Sequence, residues 1–479
     1  LEKFEKAEKS YQKAVELKPD YVEAYYNLGL SLNSLENPED AETAFSQAIK
    51  LKPDYAEAYD NLGIALLNLG RLEEAISSHR HAIQHKQNYA EAYNNLGNVY
   101  RRAGQLTEAR ESYQTAVSLN AKDSKIHRVL GETLVEMGEL NKAEESFRQA
   151  LVIKKDDFSV YFELANTLKK LGRLGEAEKS YRQAINLKPN YAQAHCNLGV
   201  VLQEIGKIAE AESSYRQAIA IRENYALAYR NLAVTLKRLG RLPEARLNLE
   251  RAISIEPDPS AEHLLAALTG KTSDAAPLEY VETLFDTYAA TFETSLLDNL
   301  EYKTPKAIAK RLLKKSEKVS PIGKVLDLGC GTGLVGTEIS QYCELLDGVD
   351  LSEKMLIQAE KKKIYSRLIK KDINSYLKTE NLDYDWFIAA DVFVYIGDLE
   401  EIFRLIRTRN QRPGSLVFST EIHEEQGFLL QESGRYSHSN HYIRTLCERF
   451  SYTVRDMDLL NLRLENQSYI RGALYLLDF

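Results

Sequence analysis

Alanine returns every 34 residues through the first half of this 479-residue chain, at Ala7, Ala41, Ala75, Ala109, Ala143, Ala177, Ala211 and Ala245. A fixed period of that length means a stack of supersecondary units, each burying its apolar face only against the next. A second series, Ala14, Ala48, Ala82, Ala116, Ala150, Ala184, Ala218 and Ala252, lies seven residues further on and so falls on the same helical face. Between the two stand Tyr11, Phe45, His79, Tyr113, Phe147, Tyr181, Tyr215 and Leu249. Gly29, Gly63, Gly97, Gly131 and Gly199 share another position, with Ala165 and Ala233 as its variants. Small, large, small on one face predicts a knob seated in a gap of the neighbouring helix. Pro19, Pro53, Pro189 and Pro257 then stop the second helix of their units.

The period, small residues, aromatic and terminal proline closely resemble the tetratricopeptide repeat, in seven full units over about Val22 to Pro259. Residues 1–21 read as a second helix lacking its first, so the expectation is a fragment of a longer array. Its first helix is expected to fray or to pack against another molecule, with self-association through that truncated unit as one route. Asn27, Asn61, Asn95, Asn197 and Asn231 share one repeat position, interrupted by Val129 and Glu163. They resemble the asparagine ladder of O-GlcNAc transferase repeats, which implies a protein or peptide partner held by its backbone. An amide offers a donor and an acceptor together, and asparagine is also simply common at this position. After Pro259 a capping helix, Ser260 to Leu268, and a brief linker, Thr269 to Pro277, are expected. The expected domains are thus 1–259, 260–276 and 277–479.

Charge and cysteine usage narrow the function classes. The chain carries −8 at pH 7, about −3 before residue 271 and about −5 after it, so neither half suits a nucleic acid held by its phosphates. Cys196, Cys330, Cys343 and Cys447 lack paired or metal-ligand spacing, which fits free thiols in a reducing compartment and no bound metal. No run of 18 apolar residues and no signal-like opening is present. A soluble, cytoplasmic protein without a membrane partner is expected.

The second half opens with Val325-Leu-Asp-Leu-Gly-Cys-Gly-Thr-Gly-Leu-Val-Gly336, an apolar strand running into a glycine-crowded turn. Glycine at 329, 331 and 333 lets backbone approach a ligand and take dihedrals closed to other residues. Asp350 ends the next predicted strand, placed to accept hydrogen bonds from a ribose. Gly331-Thr-Gly333-Leu-Val-Gly336 also satisfies the dinucleotide fingerprint, although the chain lacks the second, substrate-carrying domain of a dehydrogenase.

Asp327-Leu-Gly-Cys-Gly-Thr-Gly333 resembles motif I of class I S-adenosylmethionine-dependent methyltransferases. Leu368 to Ile373, Asp383 to Ile396 and Pro413 to Glu421 resemble that family's third, fourth and fifth strand motifs, and two late extended stretches, about 452–464 and 469–478, its closing antiparallel pair. The whole resembles predicted bacterial methyltransferases fused to such repeats. The resemblance implies a multidomain chain: an all-α repeat superhelix, then an α/β Rossmann-like domain whose seven-stranded sheet has its last strand antiparallel. It also implies S-adenosyl-L-methionine as cofactor. The implied cofactor contacts are Asp327, Gly329, Cys330, Gly331 and Gly333, then Asp350 with Leu351, Asp372 with Ile373, and Asp391. Tyr280 to Phe292 resembles a helical lid, with Tyr288 either a covering or a core aromatic.

Methyl transfer is an in-line displacement served largely by alignment, and a general base matters only for a protonated acceptor. Asp391, Tyr395, His438 and His441 are the candidates. The fourth-strand loop, Ala390-Asp391-Val-Phe-Val-Tyr395, lacks the Asn/Asp-Pro-Pro-Tyr sequence of DNA-amino and glutamine methyltransferases. A small-molecule methyltransferase with an assembly array, and a non-catalytic scaffold, remain as alternatives.

Overall fold

A computed structural model of the chain describes residues 2–289, 292–294, 302–315, 321–465 and 468–479. It divides into two compact units, Leu1–Thr235 and Leu236–Phe479. No helix among the described residues is long and apolar enough to cross a membrane.

In the first unit a lone helix, Glu2–Leu17, is followed by six helical hairpins, from Val22–Ser34 with Pro38–Leu51 to Ala192–Glu204 with Ile208–Ile221. The predicted knob is the aromatic of the second helix, and its seat is the glycine of the first. A Cβ on Gly29, Gly63, Gly97, Gly131 or Gly199 would come within 2.6 Å of the ring of Phe45, His79, Tyr113, Phe147 or Tyr215 respectively. The flanking alanines of both series, from Ala41 to Ala218, are fully buried. Five of the six hairpins therefore close to a separation that leaves no room for a Cβ, and the sixth carries Ala165 at that position.

The second unit opens with helices Leu242–Ile255 and Pro259–Thr269, of which the latter was the expected cap. The segment read as a linker is instead a strap fastened to the following domain. Ala275 bridges to Ile396, the Ala276 N–H donates to the Tyr395 carbonyl (3.0 Å), and Ser273 Oγ lies 2.7 Å from Tyr436 Oη. The compact unit accordingly begins before the expected boundaries.

Beyond the strap lies a sheet whose first five strands are β1 (Lys324–Leu328), β2 (Leu345–Asp350), β3 (Arg367–Lys370), β4 (Trp386–Ala389) and β5 (Ser415–His423). They run parallel in the order β3-β2-β1-β4-β5. A short hairpin, β6 (Phe428–Leu430) and β7 (Tyr436–Ser439), continues from the last residues of β5. The closing strands β8 (Thr453–Glu465) and β9 (Ser468–Asp478) are antiparallel, and β9 pairs along β5. The hairpin accounts for the two strands beyond the expected seven.

Side chains alternate between two apolar layers. Val325, Ile388 and Val417 face helix Thr304–Lys315, while Leu326, Phe387 and Leu416 face the layer that includes helices Glu400–Arg409 and Asn440–Phe450. Burial on both faces explains why these strands read as continuous apolar runs. The chain leaves β1 toward β2 and β3, then returns on the other side to β4. That reversal opens a crevice at the strands' carboxyl ends, where such sheets bind ligands.

Gly131→Ala tests the hairpin geometry by its sign. In an open helix this change stabilises by about 1 kcal/mol; against the Phe147 ring it overpacks and costs about 1–3 kcal/mol. Thermal unfolding followed by circular dichroism should show a lower midpoint for Gly131→Ala and none for Gly175→Ala, since Gly175 has open space around it. Equal midpoints would contradict the packing.

Candidate functional site

Three glycines after β1 hold left-handed backbone, with φ of +68° at Gly329, +55° at Gly331 and +83° at Gly333. They do different things. A Cβ on Gly329 would meet Val392 Cγ2 at 2.5 Å, and one on Gly333 would meet Tyr365 at 2.9 Å, so these two permit close packing. Gly331 faces open space, with Phe292 Cε1 nearest at 4.0 Å. It is the point where a ligand can lie against the main chain.

Asp350, at the tip of β2, fixes this turn from the side. Its Oδ2 accepts the Gly331 N–H (2.8 Å) and its Oδ1 accepts the Ser352 N–H (2.8 Å). Burial raises its pKa, and these backbone donors oppose the rise. Asp327, inside β1, is 1 % exposed and accepts the Tyr365 hydroxyl at 2.7 Å. Burial pushes its carboxyl up to about 7, with the Asp350 charge adding in the same direction.

Above the turn lies a cavity of about 570 Å³, within the range of small-molecule sites. The sequence candidates Tyr288, Asp327, Gly329, Cys330, Gly331, Asp350, Leu351, Asp372, Ile373, Asp391 and Tyr395 all line it. Asp372 also caps helix Ile373–Thr379 by accepting the Ser375 N–H at 3.0 Å. Gly333 is outside the lining, at the start of helix Leu334–Ile339. Helix Leu278–Tyr288 turns Val281, Leu284 and Phe285 toward the cavity, and the Phe285 ring meets Tyr395 edge-on at 5.2 Å. Ala290 and Thr291 of the expected lid lie outside the described residues.

The far wall is polar. Asp391, with φ +54°, donates its N–H to Ser419 Oγ (2.8 Å) and accepts the Ser419 hydroxyl at Oδ1 (2.6 Å). Arg463, nearly buried on β8, pairs with Glu421, reaches Glu465 at 3.3 Å and lies 3.6 Å from Asp391. Arg435 donates to Glu465 at 2.8 Å. Tyr395 is pushed up to about 12 by burial, so at neutral pH its phenol is a hydrogen-bond donor rather than a base. Sequence reasoning did not single out Arg435, Arg463 or Glu465; the β8 positions alternate like any strand and carry no motif.

Both histidine candidates fail on geometry. His438 is fully buried outside the lining, and its Nε2–H faces the carbonyls of Ile396 (3.0 Å) and Gly397 (2.9 Å). Burial lowers its pKa to about 4, so it braces the loop as a neutral ring. His441 is exposed on helix Asn440–Phe450 and also lies outside the cavity.

In the array the asparagine amides are half-buried, and their donors bond within the array. Asn27 donates to the Glu23 carbonyl, Asn61 to that of Glu57, Asn95 to the Asp60 carboxylate and Asn197 to Asn166. Asn231 lies 4.0 Å from Cys196 Sγ.

Comparison with known proteins places families on both parts. Residues 325–413 match the Methyltransferase domain family, and residues 166–206, 192–225 and 226–255 match three tetratricopeptide-repeat families. Residues 1–159 match the family described as Cilia and flagella-associated protein 70 C-terminal domain. The chain therefore carries tetratricopeptide repeats and a methyltransferase domain. No curated protein matches it. Among solved structures, YrrB, titled a TPR protein with an unusual peptide-binding site, is 25 % identical, covering 39 % of this chain and 96 % of its own at a TM-score of 0.36. PilF of Pseudomonas aeruginosa is 21 % identical, with 43 % and 94 % covered at 0.39.

Asp327 makes stability depend on pH. Its value of about 7 exceeds the roughly 3.9 of an unfolded chain, so between those limits the folded state holds more protons and stability falls as pH rises. Asp327→Asn removes that slope. Calorimetric unfolding should show the variant's midpoint gaining on the native one from pH 5 to pH 7.5; parallel profiles would contradict the buried acid.

Proposed function

We propose that this chain, which joins tetratricopeptide repeats to a methyltransferase domain, binds S-adenosyl-L-methionine in the cavity over Gly331 and transfers its methyl group, with the array recruiting a protein or peptide partner. One observation carries the reading: the open left-handed Gly331 held against the Asp350 carboxylate at a strand-order reversal. A carboxylate oxygen can accept more than one hydrogen bond, so Asp350 can hold the Gly331 N–H and still receive ribose hydroxyls.

The other residues fit the same ligand. Asp327, Asp350 and Asp372 make this half of the cavity acidic, which suits a cationic compound. An ammonium beside Asp327 draws off the proton that burial keeps there. The apolar face of helix Leu278–Tyr288 suits an adenine ring and excludes water. When bound, the compound supplies an electrophilic methyl carbon. The chain's own work is alignment, with Asp391 as the group placed to take a proton from an acceptor on the polar wall. In the array, Asn27, Asn61, Asn95, Asn197 and Asn231 would meet a peptide through their amide oxygens, since the array's own groups engage their donors. The modest cavity volume also suits a small acceptor, with the array then serving assembly.

Isothermal calorimetry with S-adenosylhomocysteine tests the cofactor. The native chain should bind, and Asp350→Ala should bind at least about tenfold more weakly, the loss of one or two hydrogen bonds to a charged group. No binding by the native chain removes the proposal.

A further inference from the structure

The cavity is held from behind by side chains that periodicity assigns to the end of the array. His263, on helix Pro259–Thr269, is 3 % exposed, and its Nε2 lies 3.0 Å from the Gly434 carbonyl. A carbonyl only accepts, so Nε2 carries the proton and donates. Burial lowers the pKa of this histidine, consistent with a neutral ring. The same ring packs on Tyr280 of helix Leu278–Tyr288, with centroids 5.0 Å apart. One side chain thus touches two walls of the cavity from outside it. Tyr280 belongs to the wall over the glycine turn, and Gly434 precedes Arg435 on the polar wall.

The turn at Gly434 is closed within its own hairpin, and the His263 bond adds a tether from outside it. Gly434 has φ +88°, and Gln431 closes the turn by donating its N–H to the Arg435 carbonyl (2.8 Å) and accepting the Gly434 N–H (2.9 Å). The His263 bond orients the peptide from which the Arg435 guanidinium enters the cavity. At the other end of the wall helix, Arg238, the last residue of helix Ala226–Arg238, donates to Tyr288 Oη at 3.1 Å. Between these anchors, Ala266 and Ala267 pack in one apolar cluster with Val281 and Tyr436. The strap reinforces it, since the Asp274 carbonyl accepts the N–H groups of Gly397 and Asp398, both at 2.8 Å.

We propose that His263 and Arg238 are positioning residues of the cavity: the last helices of the repeat array are built into the methyltransferase unit and set both its covering helix and the turn that presents Arg435. The proposal rests on the cavity being the ligand site. It implies that a cut near residue 275, where the sequence suggests a boundary, removes working parts of that site.

Two measurements on the full chain test it. Amide hydrogen exchange over residues 278–288, without ligand, should quicken about tenfold in His263→Ala, as expected for one buried hydrogen bond and its ring packing, while β1 to β5 exchange as in the native protein. His263→Gln keeps an amide donor for Gly434 and should recover most of the protection. Affinity for S-adenosylhomocysteine should fall several-fold in His263→Ala and recover in parallel. Arg238→Ala, at an exposed position, supplies a second variant should His263→Ala not fold, and should quicken exchange at the Tyr288 end. Unchanged exchange at residues 278–288 in a folded variant overturns the proposal. If His263→Ala shows the exchange effect but the native chain binds no S-adenosylhomocysteine, the brace stands and the cofactor reading falls instead.

Discussion

The Asp350–Gly331 hydrogen bond is the interaction on which the site depends. It ties the tip of β2 to the middle of the turn after β1, and it does so where the turn's backbone is left-handed. Gly329 and Gly333 yield to Val392 and Tyr365, so the loop is compressed from both sides. What remains open is the face of Gly331. A carboxylate that shapes the loop from one side while presenting lone pairs to the cavity does two jobs with one group, and its burial follows from both. Asp327, a strand away and deeper, gains a high proton affinity from the same enclosure.

In the array an equally local constraint repeats at a 34-residue spacing. In five of the six hairpins a ring on the second helix occupies the space that a side chain would take on the first. Tyr113 and Tyr181 add a hydroxyl bond to Asn98 and Asn166, at 2.8 and 2.5 Å. His79 replaces that phenol with an imidazole on Asp60, itself held by Asn95. These variations leave the spacing of the hairpin intact, because the seat is set by the small residue opposite the ring, glycine or Ala165, rather than by the polar group.

Legibility in the sequence followed chain distance. The period, the small and large positions and the strand-tip acids are patterns within a few tens of residues, and the helices, parallel strands and the Asp350 turn stand where those patterns put them. The polar wall was legible only in part, through Asp391 and Tyr395. Arg463, Glu421 and Asp391 come from β8, β5 and the loop after β4, and only the sheet order brings them together. His263 was hidden for the same reason, since its partner Gly434 lies 171 residues away. His438 shows the opposite failure. A histidine in a polar stretch invites a chemical role, but β7 is buried along its whole length and sets this ring against two carbonyls. The supposed linker misled because its composition is that of a loop, while the partners that fasten it, Tyr395 to Asp398 and Tyr436, lie far along the chain.

The central claim is that the turn after β1 and the Asp350 carboxylate form a receptor for an adenosyl sulfonium. A crystal structure of the complex with S-adenosylhomocysteine measures this most directly. The account predicts both ribose hydroxyls within hydrogen-bond distance of Asp350, the ligand's chain against Gly331, and helix Leu278–Tyr288 over the base. A ligand lodged elsewhere, or a ribose turned away from Asp350, would contradict it.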